Sequence, residues 1–233
     1  MNIYRLALLL FVFALTTGMD DTGCQSEASG NVTQSRIHTS YWLYYDADRD
    51  TTSGRAQFRL GNPLGTTLLL SDGASVSFEG RNMGFNEALD WHEATVGGFV
   101  PGTFEYMDVD GSTFTNVAEL PTGTEVPQNF PAVIRRDGSS VEVFWDGPPL
   151  GPGESMAAVV ANDNNRLDFE RWEVRNQGAT SIVLTANQLA RLAPGGAVIN
   201  LRRWFETDPP QTADAGGVLR TTYQSNTVTF EIQ

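Results

Sequence analysis

The chain has 233 residues, enough for one large domain or two of about 100 residues each. Acidic residues number 28 against 15 basic ones, all of them Arg, so the formal net charge is −13. Without Lys there is neither a phosphate-binding loop nor Schiff-base catalysis, and the acidity argues against binding nucleic acid. A single Cys excludes an internal disulfide.

Residues 1–23 are predicted to be a secretory signal peptide. Arg5 closes a short basic segment, and an uncharged apolar run follows from Leu6 to Leu15. This run is shorter than the roughly 20 residues that cross a bilayer. Small residues follow up to Gly18, so one interpretation is cleavage near Gly18, which would release a secreted or periplasmic protein.

The sole cysteine supports a second interpretation. Thr22, Gly23 and Cys24 resemble the bacterial lipoprotein signal, in which a small residue precedes a cysteine that is lipidated and becomes the mature N-terminus. The polar residues that follow predict a flexible tether over 24–35. The resemblance implies that a lipid on Cys24 attaches the protein to a membrane, at the outer membrane or cell surface.

From Ser40 onward, short β-branched or aromatic runs alternate with turn residues, which is typical of all-β proteins. Asp72-Gly73 and Asp110-Gly111 predict hairpin turns. Three prolines within 121–131 predict a linker between a β-sandwich domain at 36–121 and a second domain at 122–233. Strands in the first half are predicted at 41–45, 56–60, 66–70, 75–79, 91–96, 103–107 and 113–118.

The second half contains seven further runs, the number of strands in an immunoglobulin-like sandwich. Leu189 and Leu192 predict a short helical turn between the fifth and sixth of them. The whole of 36–233 therefore resembles two tandem antiparallel immunoglobulin-like β-sandwich domains placed after a signal peptide. Trp145, Trp172 and Trp204 are predicted to be core residues. The runs are 132–135, 141–145, 156–161, 167–174, 181–184, 197–205 and 228–232.

Alternating aspartates suggest a cation site. Asp46, Asp48 and Asp50 have the spacing of calcium loops, and Asp108 with Asp110 repeats half of the pattern. The glycine and bidentate acid of a complete loop are missing. Acidic residues also favour turns without any metal. The only cofactor prediction is thus Ca²⁺ at these aspartates, with plain acidic turns as the alternative.

Asp90, Trp91, His92 and Glu93 form the densest group of catalytic residue types. Adjacent residues of a strand point to opposite faces, so we expect Trp91 in the core, His92 exposed and no catalysis. A Gly-x-Ser-x-Gly nucleophile motif is absent from the sequence, and the triplet at 21–23 lacks the second copy that aspartic proteases need. The sequence therefore predicts a protein that is not an enzyme.

Aromatic residues crowd the first predicted strand. Tyr41 and Tyr45 share one face, and Trp42 and Tyr44 share the other. An exposed Tyr41–Tyr45 pair would stack on a sugar or anchor a protein, unless both faces are covered.

The resemblance to envelope lipoproteins with such domains implies a location more strongly than a function. We predict a non-catalytic surface lipoprotein, structural or adhesive, that binds a protein or glycan. The alternative is a secreted carbohydrate-binding or calcium-dependent accessory module.

Overall fold

The structure is a computed structural model that describes residues 26–165 and 167–233. The predicted signal peptide, the cleavage point near Gly18 and Cys24 lie outside the described residues. Within them the chain is almost entirely strands and turns, so the all-β sandwich prediction is confirmed.

The first half of the chain forms a lobe of two sheets around one apolar core. A four-stranded sheet with the order β10-β9-β5-β6 packs on a sheet that contains β2, β3, β8 and β7. The core between them holds Tyr41, Leu43, Phe58, Phe78 and Phe104, all fully or almost fully buried. The strands are β1 (Glu27–Ala28), β2 (Ile37–Asp46), β3 (Thr51–Leu60), β4 (Leu68–Leu69), β5 (Ser75–Phe78), β6 (Arg81–Asn82), β7 (Gly84–Asn86), β8 (Trp91–Gly97), β9 (Gly102–Met107) and β10 (Thr113–Ala118).

The second half forms another lobe with its own core. Its elements are β11 (Val133–Ile134), β12 (Val141–Phe144), β13 (Ser155–Asn162), β14 (Phe169–Val174), β15 (Ser181–Leu184), α1 (Ala186–Leu189), β16 (Gly195–Thr207), β17 (Gly217–Gln224) and β18 (Val228–Ile232). β12 pairs with β15, while β14, β13, β16 and β18 belong to the facing sheet. This division of strands is that of an immunoglobulin-like sandwich. Trp145 and Trp172 lie in its core, as predicted.

A single sheet runs through both lobes. β17 pairs antiparallel with β16 and, on its other edge, parallel with β2 from Gly217–Thr39 to Gln224–Asp46. As a result Leu219, near the end of the chain, packs in the core of the first lobe. β17 is absent from the predicted strands. The division into independent domains at 36–121 and 122–233 stays a prediction, but the two lobes share this sheet.

Both segments predicted as connectors are packed. In the predicted tether, Glu27 N–H donates to Thr67 O at 2.9 Å, and buried Ser29 accepts a hydrogen bond from the N–H of Ser71 at 3.0 Å. In the predicted linker, Thr124 and Val126 are buried. Residues 26–35 are thus part of the first lobe, because β1 pairs with β4.

The linker also lies over a buried ion pair. Arg203, 2% exposed, donates to the carbonyls of Pro148 and Pro149 at 2.9 and 2.8 Å, to Thr124 Oγ1 at 3.3 Å, and to Glu154. A buried charge needs this many partners to offset its desolvation. The linker is held in place by the second lobe.

Three local predictions have different outcomes. Asp110-Gly111 lies in the turn of the β9–β10 hairpin, as predicted. Asp72 and Gly73 have positive φ angles of 54° and 92°, but the turn joins β4 to β5, which belong to different sheets. The predicted helical turn is α1; its last residue, Leu189, is buried, and so is Leu192 shortly after it.

Candidate ligand-binding face

The predicted calcium aspartates take part in turns. Between β2 and β3, Asp46 accepts the N–H of Asp48 at 3.1 Å, Asp48 accepts the N–H of Thr227 at 2.8 Å, and Asp50 accepts the phenol O–H of Tyr45 at 2.9 Å. The three carboxylates therefore point to three different partners. Asp48 in particular holds this turn against the β17–β18 bend.

The second aspartate pair behaves similarly. Asp108 accepts the N–H groups of Asp110 and Ser112 at 3.0 and 2.8 Å. Across 26–165 and 167–233, no three His, Cys, Asp or Glu residues are grouped so that they could hold a metal ion. Calcium binding stays a prediction, and the turn geometry alone accounts for these aspartates.

The predicted stacking pair is not at the surface. Tyr41 is 0% and Tyr45 8% exposed, because the four-stranded sheet and the junction between the lobes cover this face of β2. Tyr41 packs on Phe104, and Tyr45 packs on Phe99 and Tyr223. The prediction of an exposed Tyr41–Tyr45 pair is wrong, since the opposite face of β2 points outward.

The predicted faces of β8 are also reversed. His92 is buried between Phe58 and Phe85, and burial lowers its pKa. Trp91 lies on the outer face, where its indole N–H donates to Glu93 at 3.2 Å. His92 therefore shares no face with Glu93, and these residues do not form an acid–base pair.

The outer face of the shared sheet carries a row of aromatic and arginine side chains. Strand register places Trp42 directly between Arg55 on β3 and Arg220 on β17. On the next strand, Trp204 lies opposite Thr222. These residues line a groove of about 230 Å³, which we call the tryptophan–arginine groove. Its lining residues are Trp42, Tyr44, Arg55, Trp91, Arg171, Arg202, Trp204, Arg220 and Thr222.

Two of the guanidinium groups stack on indole rings. The Arg55 guanidinium carbon lies 4.6 Å from the centroid of Trp91, and that of Arg171 lies 4.9 Å from the centroid of Trp204. Arg171 reaches Trp204 across β13, where the intervening residue of this face is the small Ala157. Stacking fixes the plane of a guanidinium and leaves its in-plane N–H donors available.

The arginines differ in how far the protein satisfies them. Arg171 and Arg220 form ion pairs with Glu173 and Glu206. Arg55 also forms an ion pair with Glu93, but at 3.7 Å it is too long for a hydrogen bond, and the Arg55 Nε is buried without a hydrogen-bond partner among the described residues.

Arg202 has no carboxylate partner within the described part of the chain. Its Nε donates to Gln224 Oε1 at 2.9 Å, and the Tyr44 hydroxyl donates to the same oxygen at 2.5 Å. Tyr44 also lies 5.9 Å from the Arg55 guanidinium. Arg55 and Arg202 thus flank Tyr44, and both retain unused donors.

The pKa shifts agree with this arrangement. Burial raises the pKa of Tyr44, although the positive charges of Arg202 and Arg55 act in the opposite direction. The amide of Asn86, 2.9 Å from Glu93, lowers the pKa of that carboxyl group. Four arginines line the groove, and three of them pair with Glu93, Glu173 and Glu206, so the groove keeps an excess positive charge in a chain of net charge −13.

A second cavity of about 400 Å³ continues the groove along the second lobe and shares Arg171 and Arg202 with it. Its wall includes Phe169, 56% exposed, and Asn200. Asn200 Oδ1 is buried and has no hydrogen-bond partner among the described residues. The outer face therefore offers an elongated surface and not an isolated pit.

Sequence reasoning missed most of this face. Trp204 was predicted to be a core residue, but it belongs to neither core: its ring lies on the outer face and lines the groove. The arginines carried no prediction. The alternation Arg202-x-Trp204 on one strand and Trp42-x-Tyr44 on another was a usable signal, because residues two apart share a face.

Comparisons with known proteins identify no family. No family model matches the chain, and no curated protein does. Among solved structures, the chain is similar to the FN1–FN3 domains of chicken CNTN1, with 9% identity, a TM-score of 0.27, and coverage of 83% of this chain and 66% of that one. It is also similar to an ICAM-5 D1–D4 ectodomain fragment, with 10% identity, a TM-score of 0.25, and coverage of 84% and 51%. The chain thus spans just under two thirds of the CNTN1 structure and about half of the ICAM-5 structure.

In the described parts of the chain, no helix has the length and apolar character needed to cross a membrane.

Proposed function

We propose that this protein is a non-catalytic glycan-binding module of the bacterial cell envelope, and that the tryptophan–arginine groove holds the glycan. The observation that carries the proposal is the open sheet face on which Trp42, Trp91 and Trp204 lie in one groove with four arginines. Arg55 and Arg171 each cover one ring face of Trp91 and Trp204, so Trp42, which takes part in neither stack, provides the apolar ring face for a sugar. The arginines provide fixed donors for the oxygens of the sugar.

The surroundings of Asp90 and His92 support a binding role. His92 is buried among aromatic rings, and Asp90 accepts hydrogen bonds from Thr67 and Gln57. In this interpretation Asp90 and His92 stabilise the first lobe, and no reaction is assigned to them.

Affinity electrophoresis against a panel of neutral and acidic polysaccharides tests the function. We expect at least one polysaccharide to retard the wild-type protein, and Trp42→Ala to abolish the retardation. The matched control is Phe144→Ala, which removes an aromatic ring that is 58% exposed on β12, outside the groove. Absence of retardation by any polysaccharide, or equal loss in both variants, contradicts glycan binding at the groove.

Attachment to the envelope is proposed from the lipoprotein-like signal at Cys24. Intact-mass analysis of the membrane fraction should show a mature species that begins at Cys24 and carries diacylglycerol and acyl groups. Cys24→Ser should remove the lipid mass. An unlipidated protein cleaved near Gly18 in both forms would instead indicate a secreted module.

A further inference from the structure

We infer that the glycan is acidic, and that Arg55 and Arg202, on either side of Tyr44, bind its carboxylate groups. This inference rests on the proposed function and adds the chemical class of the ligand. Two guanidinium groups of the groove have unused donors. Arg55 makes no hydrogen bond to any described residue, and Arg202 uses only its Nε.

Both guanidinium groups are oriented before any ligand arrives. Arg55 is stacked on Trp91, and Arg202 is bonded to Gln224, which Tyr44 also holds. A planar guanidinium with free in-plane donors is suited to a bidentate carboxylate, and such charge-assisted hydrogen bonds are stronger than neutral ones. A neutral sugar would leave most of these donors without a charged acceptor.

The strand order gives the direction of the bound chain. Tryptophans occur on β8, β2 and β16, every second strand, and arginines of the groove occur on β3 and β17 between them. Two strand spacings are about 10 Å. An extended β-linked polysaccharide presents equivalent groups on every second sugar. A chain that crosses the strands would therefore meet aromatic and arginine positions in alternation. Arg55 on β3 and Arg202 on β16 are three strand spacings apart, roughly 14 Å, so the two arginines would bind carboxylates on different sugars of the chain.

The groove has room for such a chain. From β8 to β14 the continuous face crosses seven strands, β8-β3-β2-β17-β16-β13-β14. At about 4.8 Å per spacing this is roughly 29 Å, long enough for several sugars. The unpartnered Oδ1 of Asn200, in the adjoining cavity, is a hydrogen-bond acceptor that sugar hydroxyls could satisfy after a small side-chain adjustment.

The test compares hyaluronan oligosaccharides, which carry a carboxylate on every second sugar, with the same oligosaccharides methyl-esterified. Isothermal titration calorimetry should show binding of the acid form that weakens with added salt, and much weaker binding of the ester. Arg55→Gln and Arg202→Gln should each lower the affinity for the acid form by about tenfold to 100-fold. Arg191→Gln is the control, because it makes the same charge change at a side chain that is 68% exposed and outside the groove.

The outcomes separate the two proposals. Equal binding of acid and ester, or equal affinity in the Arg55 and Arg191 variants, overturns the acidic class and leaves glycan binding standing. If neither oligosaccharide binds but poly-glutamate binds in a Trp42-dependent way, the groove recognises an acidic protein segment, and both proposals are overturned. Circular dichroism of each variant establishes that it is folded, so loss of affinity is not loss of structure.

Discussion

Replacing Leu219 by Ala tests whether the lobes share one sheet. Leu219 lies on β17, is 4% exposed, and packs in the core of the first lobe although it belongs to the last part of the chain. Truncating a buried Leu to Ala costs about 3 kcal/mol through lost burial and the cavity left behind. If the sheet is shared, Leu219→Ala destabilises the first lobe.

Native-state hydrogen exchange measures the effect strand by strand. A loss of about 3 kcal/mol corresponds to roughly a 100-fold drop in protection, since each 1.4 kcal/mol is tenfold. We expect that drop in β2, β3 and β9. The control is Leu201→Ala, which truncates a fully buried Leu in the second core and should deprotect β12 and β15 instead.

Two independent tandem domains would behave differently. Leu219→Ala would then deprotect only strands of the second lobe. Unchanged exchange in β2 and β3 of this variant would refute the shared-sheet reasoning.

Two further predictions concern packing and pH. Gly102→Ala should lower the free energy of unfolding by about 1–3 kcal/mol in urea titrations, because a Cβ there would lie 2.3 Å from the Phe78 ring. Gly97→Ala is the control: a Cβ at Gly97 would have no atom within 4 Å, so the free energy of unfolding should fall much less. Burial opposes ionisation of Glu154, but the hydrogen bond from Arg203 outweighs it and lowers the pKa. The ionised Glu154 carboxylate therefore stabilises the protein above pH 4.5, and this stabilisation is lost as pH falls through the lower pKa of the folded state. Glu154→Gln should lower the free energy of unfolding by about 3–5 kcal/mol at pH 7 and make it less sensitive to acid. An unchanged dependence of stability on acid pH would contradict this role of Glu154.

The strands were predictable because turn residues separate them. The predicted runs 113–118, 181–184 and 228–232 coincide with β10, β15 and β18. Periodicity of two also sorted each strand into two faces. It could not say which face was inner, because that depends on which sheet packs over it. For this reason Trp91 was assigned to the wrong side, and the side of Tyr41 was left open.

The shared sheet was out of reach for a different reason. β17 is rich in β-branched and aromatic residues, so it could have been recognised as a strand. Its pairing with β2 joins residues almost 180 positions apart, and parallel pairing has no turn signature comparable to a hairpin. The groove depends on that pairing, since Trp42 and Arg220 meet only through it.

The position of β17 ties the groove to the stability of the whole protein. Trp42 and Arg55 come from the first lobe, Arg202 and Trp204 from the second, and β17 sets their spacing through hydrogen bonds on both of its edges. A ligand that spans the groove therefore binds only when the lobes are aligned. It would stabilise that alignment by about 2.7 kcal/mol at 100 times its dissociation constant. By the same linkage, loosening β17 from the core side at Leu219 should weaken binding on the opposite face, with no groove residue altered.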